Sequence, residues 1–147
     1  MPAPIASISA ALVAGQFAAL AVLVAPWGGT WHAWGWTGIA LAALVGAWTL
    51  MHNRPGNFGV MPEPKARARL VTTGPYAFVR HPMYLAVLLF GGGCLAGWQR
   101  WPHAAAFAAL AVVLHAKALR EEALLARRFP EYAAYKARTK RLVPYVL

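Results

Sequence analysis

The first 53 residues of this chain contain no Lys, Arg, Asp or Glu. An uncharged apolar run of about 20 residues crosses roughly 30 Å of hydrocarbon as a helix. In lipid, a spanning segment must satisfy its backbone polar groups internally, so a helix is the form open to it. Two such runs stand here, Ile5–Ala25 and Trp34–Met51, separated by the turn Pro26-Trp27-Gly28-Gly29-Thr30. No positively charged stretch precedes the first run, so it is expected to be a retained span, not a secretory signal. Met83–Gln99 and Ala104–Leu119 read as a third and a fourth span, joined by Gln99-Arg100-Trp101-Pro102, with His115 and Lys117 near the end of the last. Pro82 and Pro102 sit where these helices should begin, a position where the missing N–H costs nothing. At 147 residues, with 60% hydrophobic and 12% charged residues, the composition fits one all-α integral membrane domain; soluble domains carry about 25% charged residues.

The charges orient the bundle. Thirteen of the fourteen Lys and Arg lie in the 54–80 loop or from Lys117 onward, leaving only Arg100 in an opposite turn. By the positive-inside rule, both termini and the central loop are expected to be cytoplasmic. Six of the seven tryptophans (27, 31, 34, 36, 98 and 101) flank the two outer turns, as an interfacial aromatic belt requires. The small size and the lack of a targeting segment suit a bacterial inner membrane. The net charge of +10 therefore reads as affinity for anionic headgroups, and nucleic acid is not an expected partner.

Several chemistries lack their residues. Cys94 is the one cysteine, so there is no internal disulfide and no cysteine-rich metal site. The histidines at 32, 52, 81, 103 and 115 form no close ligand pair; His32 and His103 fall in outer turns and are expected to be solvated, and no metal is expected. There is no aspartate, no Gly-x-Ser-x-Gly, and no Gly-x-Gly-x-x-Gly after a strand. Gly93 and Gly97 make a small-xxx-small pattern, suited to close helix packing or to leaving room for an acyl or prenyl chain.

The cytoplasmic parts carry the polar chemistry. The loop from His52 to Val79 is broken by Asn53, Pro55, Gly56, Asn57, Gly59, Pro62 and Pro64 and cannot be one regular helix. The tail from Arg120 is broken at Pro130 and restarts as a helix at Glu131. Its Leu124, Leu125, Phe129, Tyr132, Tyr135 and Leu142 give it an apolar side, suited to lying on the membrane surface or over a ligand. His81 is biased out of the α region by Pro82. The helix that starts there offers free N–H groups and positive dipole character to an anion, and Arg80 adds a planar donor fork that matches a carboxylate. Arg80 is equally suited to anchoring on lipid phosphate, and His81 to capping the helix. Glu121 and Glu122 stand where the fourth helix leaves the membrane. Glu121 has Lys117 four residues before it, a poor order for a helical ion pair. Glu122 has no basic residue three or four positions away, so its partner must come from elsewhere: Arg80, a tail arginine, or a ligand's ammonium and hydroxyls.

The runs Thr72-Thr73-Gly74-Pro75-Tyr76, Arg80-His81-Pro82-Met83-Tyr84, Glu121-Glu122-Ala123-Leu124-Leu125, Phe129-Pro130-Glu131-Tyr132-Ala133-Ala134-Tyr135 and Arg141-Leu142-Val143-Pro144 together resemble the isoprenylcysteine carboxyl methyltransferase and phospholipid methyltransferase group of membrane enzymes. The resemblance covers residues 53–144. It implies a cytoplasmic S-adenosylmethionine site lined by Tyr76, Arg80, His81 and Tyr84 and closed by Glu121 and Glu122, with Arg80 and Glu122 as catalytic residues. Tyr132, Tyr135 and Arg138 would contact the cofactor or the acceptor. Ala86 stands where many relatives have glycine, and Phe129-Pro130 where many have Phe-Gly. Membrane sterol reductases share a related tail but favour Arg-Asp over Glu-Glu. The expected activity is methyl transfer to a lipophilic acceptor, an isoprenylcysteine-type carboxylate first, a phospholipid amine or a small thiol as alternatives. A lipid- or partner-binding module without activity, and a small haem-bearing electron carrier, are the readings of another class.

Overall fold

The computed structural model describes residues 3–53, 57, 59–66 and 68–143, with side chains from residue 7 onward. Pro55, Gly56 and Pro144, singled out in the sequence, lie outside the described residues. Five α-helices follow one another: α1 (Ala3–Val24), α2 (Trp34–His52), α3 (Pro82–Trp98), α4 (Trp101–Arg128) and α5 (Tyr132–Arg138), with a 3₁₀ turn at Gly74–Ala77 before α3. Among the described residues between α2 and α3 there is no α-helix, in keeping with the breakers there.

Three helices, α1, α2 and α4, are long and apolar enough to cross a membrane. At 17 residues, about 25 Å at 1.5 Å per residue, α3 is shorter than the roughly 30 Å of a hydrocarbon core. It lies along α2 instead of standing apart. α4 continues past the span expected to end near Leu119 and runs to Arg128, up to the break expected at Pro130. Arg120 to Arg128 holds good helix formers and no Gly or Pro. The stop comes only at Phe129, whose φ of −116° and ψ of 109° are what the following Pro130 imposes.

Two helix pairs build the bundle. On α2 and α3, Gly35 and Gly38 face Gly97 and Gly93; a Cβ added at Gly38 would stand 2.5 Å from Gly93 Cα, and one at Gly35 2.7 Å from Gly97 Cα. The small-residue pattern thus serves backbone contact between helices. On α1 and α4, Ala19 and Leu23 join Ala106, Leu110 and Leu114 in a core that also takes in Cys94 of α3. At the tryptophan-rich end, His103 is buried, stacks on Trp98 and hydrogen-bonds through Nε2 to the Ala25 carbonyl at 3.0 Å. This corrects the expectation of a solvated outer-turn histidine. The start of α4 packs on the end of α1, which puts His103 inside.

The opposite end is polar and gathers the start of α1, the ends of α2 and α4 and the start of α3. There Lys117, buried in α4, donates to Gln16 of α1 and to the Val60 carbonyl of the loop, and its Nζ lies 5.1 Å from the centre of the Tyr84 ring. Ser9, Glu63 and Arg120 form a second link among the same three segments. Arg128 donates to the Lys65 and Ala66 carbonyls. Cations along α4 thus hold the central loop across this end of the bundle.

Candidate active site

Gly74 opens the turn that leads to the site. Its φ is +60°, and a Cβ there would strike the His52 ring at 2.3 Å, so both conformation and space call for glycine. The turn buries Tyr76, whose phenol accepts a hydrogen bond from Asn53 Nδ2 at 2.8 Å. Burial pushes this phenol up to about 12, which keeps it neutral. The Tyr135 hydroxyl donates to the Tyr76 carbonyl at 2.8 Å and ties α5 to the turn.

The tail then pairs with the chain just before α3. Val79 and Lys140 form an isolated parallel bridge; Arg80 N donates to the Lys140 carbonyl at 2.8 Å, His81 N to the Arg141 carbonyl at 3.1 Å, and Lys140 N to the Phe78 carbonyl at 3.1 Å. His81, at φ −125° and ψ 62°, is held outside the helical region ahead of Pro82, and its side chain does not cap α3.

Around this clip, one carboxylate gathers the cations. Arg80 Nε lies 2.8 Å from Glu122 Oε1 with side chains 7% and 4% exposed, and Arg141 Nε approaches the same oxygen at 3.0 Å. His81 Nε2 stands 3.4 Å from it, an ion-pair distance without hydrogen-bond geometry. Lys136 Nζ is 3.6 Å from Oε2. Arg80 Nη1 donates to the Lys136 and Thr139 carbonyls. Of the three kinds of partner considered for Glu122, Arg80 and a tail arginine are both present.

Glu121 faces the other way. Its Oε2 accepts from the Tyr84 hydroxyl at 2.9 Å and lies 3.5 Å from His81 Nδ1, and its side chain is 30% exposed. The Tyr84 ring stacks on His81, with centroids 5.2 Å apart and planes 5° from parallel. Burial alone pushes the His81 imidazole down, but the carboxylates of Glu121 and Glu122 outweigh it and hold the ring's value above the ordinary 6.5. His81 therefore stabilises the fold in its charged form. That contribution is fully present below 6.5 and is lost as pH rises through the raised folded value. The melting temperature of the detergent-solubilised protein should fall on the alkaline side, and this fall should be absent from His81→Gln, as a paired pH series would show.

A cleft opens over these groups. Tyr76, Arg80, His81, Tyr84, Glu121, Tyr132 and Tyr135 line it on the bundle side; the central loop, from Asn57 to Val71, supplies much of the other wall. Glu122 lies behind the lining, and Arg138 rests over the Tyr135 ring at 5.9 Å and opens onto a separate concavity. The site residues chosen from the sequence thus divide into seven at the cleft and two outside it. Asn53, Asn57 and Arg141 carry roles that sequence reasoning left unassigned. Asn57 matches the backbone N–H and carbonyl of Arg69 with its side-chain amide, fastening the loop; only its place among turn formers pointed to it. Arg141 lay inside a quoted motif, but nothing local paired it with Glu122.

An all-helical membrane protein with a polar cleft where α3 starts and α4 ends is the class that fold and site define. The phospholipid methyltransferase family matches residues 32–132, and the chain belongs to that family. It is also similar to the cobalt-zinc-cadmium resistance protein CzcN of Cupriavidus metallidurans, 31% identical over 126 residues, covering 80% of this chain and 53% of that protein. A second relative is the nickel-cobalt-cadmium resistance protein NccN of Alcaligenes xylosoxydans xylosoxydans, 37% identical over 76 residues, covering 51% of this chain and 36% of that protein. The matches span about half the length of the first relative and about a third of the second. Methyltransferases of the family use S-adenosylmethionine as methyl donor.

The residues at the cleft fit such a donor. Tyr132 is among the residues lining the cleft, and its buried hydroxyl has no hydrogen-bond partner among the described residues. The first turn of α3 presents the Met83 and Tyr84 N–H groups, and Arg80 has Nη2 left once Nε and Nη1 are engaged; both suit a carboxylate. Glu121 suits an ammonium or ribose hydroxyls, and the Tyr76 and Tyr84 rings suit a sulfonium.

Proposed function

We propose that this chain transfers a methyl group from S-adenosylmethionine to a lipophilic acceptor at the cytoplasmic face of a bacterial inner membrane, and that the acceptor carries an isoprenylcysteine-type carboxylate. The observation that carries the reading is the convergence of the α3 start and the α4 end on one cleft, where His81 and Tyr84 meet Glu121 while Glu122 holds Arg80 behind them. When bound, S-adenosylmethionine supplies an electrophilic methyl carbon on a sulfonium. Arg80 and the first turn of α3 would hold its carboxylate, Glu121 its ammonium or ribose, and the tyrosine rings its positive centre. Glu122, nearly fully buried and engaged by cations, acts as a positioning residue for Arg80 and His81 and not as a catalytic one. The chain's part is then orientation, which contributes several kcal/mol and up to about 7–11 in ideal cases.

The bases at hand favour an acceptor that needs none. The carboxylates of Glu121 and Glu122 favour the charged form of His81, which has no lone pair to take a proton. Glu121 is already bonded by Tyr84. A carboxylate acceptor needs no base, whereas an ammonium must lose a proton before attack. The family match favours the second reading, a phospholipid amine, with Glu121 as proton acceptor. The metal-resistance names belong to the relatives; among the described residues no three His, Cys, Asp or Glu side chains gather as ligands would. Incubating membranes that contain the protein with methyl-labelled donor separates the readings. Volatile label released as methanol by mild alkali is expected of a methyl ester; label that stays non-volatile through alkali, on the freed headgroup, means an N-methyl product and overturns the carboxylate assignment.

A further inference from the structure

Next to the Arg80–Glu122 pair, Arg80, Lys136, Arg138, Lys140 and Arg141 line a second concavity. Five cations there face one carboxylate, Glu122, already shared by Arg80, Arg141 and Lys136. Arg138 and Lys140 pair with no carboxylate among the described residues, and both are exposed. A concavity with this excess of charge is matched by a phosphate, which accepts from several donors at once. Its neighbourhood is apolar on one side. The backbone of Lys140 bonds the Phe78 carbonyl; the Phe78 ring is 50% exposed and sits 6.2 Å from Trp48 of α2, itself exposed. α2 is one of the helices with spanning length and composition.

We propose that this concavity seats the phosphate of an anionic membrane lipid, with the lipid's tails running along Phe78 and Trp48. The apolar side assigns the phosphate to a lipid and not to a free ion. The occupant is a non-reacting lipid: the concavity shares only Arg80 with the cleft and none of its tyrosines. The seat stands whether or not the cleft transfers methyl groups. Its effect is to tie the tail at Lys136–Arg141, and with it the backbone clip to Arg80 and His81, to the lipid surface.

Tail-labelled phosphatidylglycerol titrated onto the full chain in uncharged detergent tests this. Arg138→Gln/Lys140→Gln should weaken binding about thirtyfold, from roughly fivefold per cation at an anionic surface. The charge-matched pair Arg100→Gln/Arg127→Gln, exposed cations elsewhere, should leave binding within about twofold of wild type. The side chains of Arg138 and Lys140 make no hydrogen bond among the described residues, and Arg138 has only an exposed ring contact with Tyr135, so the double variant should melt close to wild type, which is measured alongside. Phosphatidylcholine and inorganic phosphate should fail to displace the probe at concentrations where unlabelled phosphatidylglycerol succeeds. Equal binding by the double variant, an equal loss in the control pair, or displacement by phosphatidylcholine would each overturn the seat. Displacement by inorganic phosphate would make it a free-ion site and overturn the lipid assignment.

Discussion

Glu122→Ala is expected to lower stability by about 3–5 kcal/mol, the cost of breaking a buried ion pair from one side. The carboxylate holds Arg80 at 2.8 Å and Arg141 at 3.0 Å with Lys136 and His81 also within 4 Å, so its removal leaves uncompensated positive charge at a buried position. Arg80 would retain only its bonds to tail carbonyls and Arg141 none of its ion pairs, loosening the tail from the start of α3. Equilibrium unfolding in detergent checks the magnitude. Proteolysis should clip the variant's tail between Thr139 and Arg141 far faster than that of wild type. A variant as stable as wild type, with a protected tail, would mean that Glu122 does not organise this end of the molecule.

Gly38→Leu is expected to be at least as damaging, at or above the upper range of overpacking costs, about 3 kcal/mol. The Cβ alone would lie 2.5 Å from Gly93 Cα and 2.9 Å from Gly93 N, and backbone cannot swing aside as a side-chain tip can. The helices must separate, and both reach the cleft: Asn53, just past α2, bonds Tyr76, while His81 and Tyr84 start α3. Loss of stability should therefore come with loss of ligand binding at the cleft. Gly92→Ala is the control, since its Cβ would meet nothing nearer than Phe107 at 3.7 Å, an ordinary contact. Thermal melts of the two variants in one detergent compare them directly.

What could be read from the sequence was whatever depends on composition over a helix length or on a charge lacking local partners. The uncharged 53 residues announced α1 and α2, and the absence of a basic neighbour around Glu122 pointed it to a partner from elsewhere in the chain or a ligand, Arg80 and a tail arginine among them. Tyr76, His81, Tyr84 and Glu121 came with the motifs that carry the family resemblance. The end of α4 was legible from Pro130, since the good helix formers between Arg120 and Arg128 carry the helix up to the residue whose conformation the proline restricts. The parallel bridge between Val79 and Lys140 and the Asn57–Arg69 clasp had no signal, because backbone pairing between distant segments leaves no periodicity in either one. The burial of His103 depends on how the end of α1 docks against the start of α4, and Lys117 joins Gln16 from 101 positions away.

The central claim is that the α3 start and the α4 end jointly bind S-adenosylmethionine through Glu121. Calorimetric titration of the donor into purified wild-type protein and Glu121→Gln tests it most directly, since Glu121 is part-exposed and its replacement leaves the Glu122 cluster intact. Saturable binding by wild type, weakened at least about tenfold in the variant for the loss of a charged hydrogen-bond partner, is the predicted result. Equal affinity in the two proteins, or no binding to folded wild type, would contradict it.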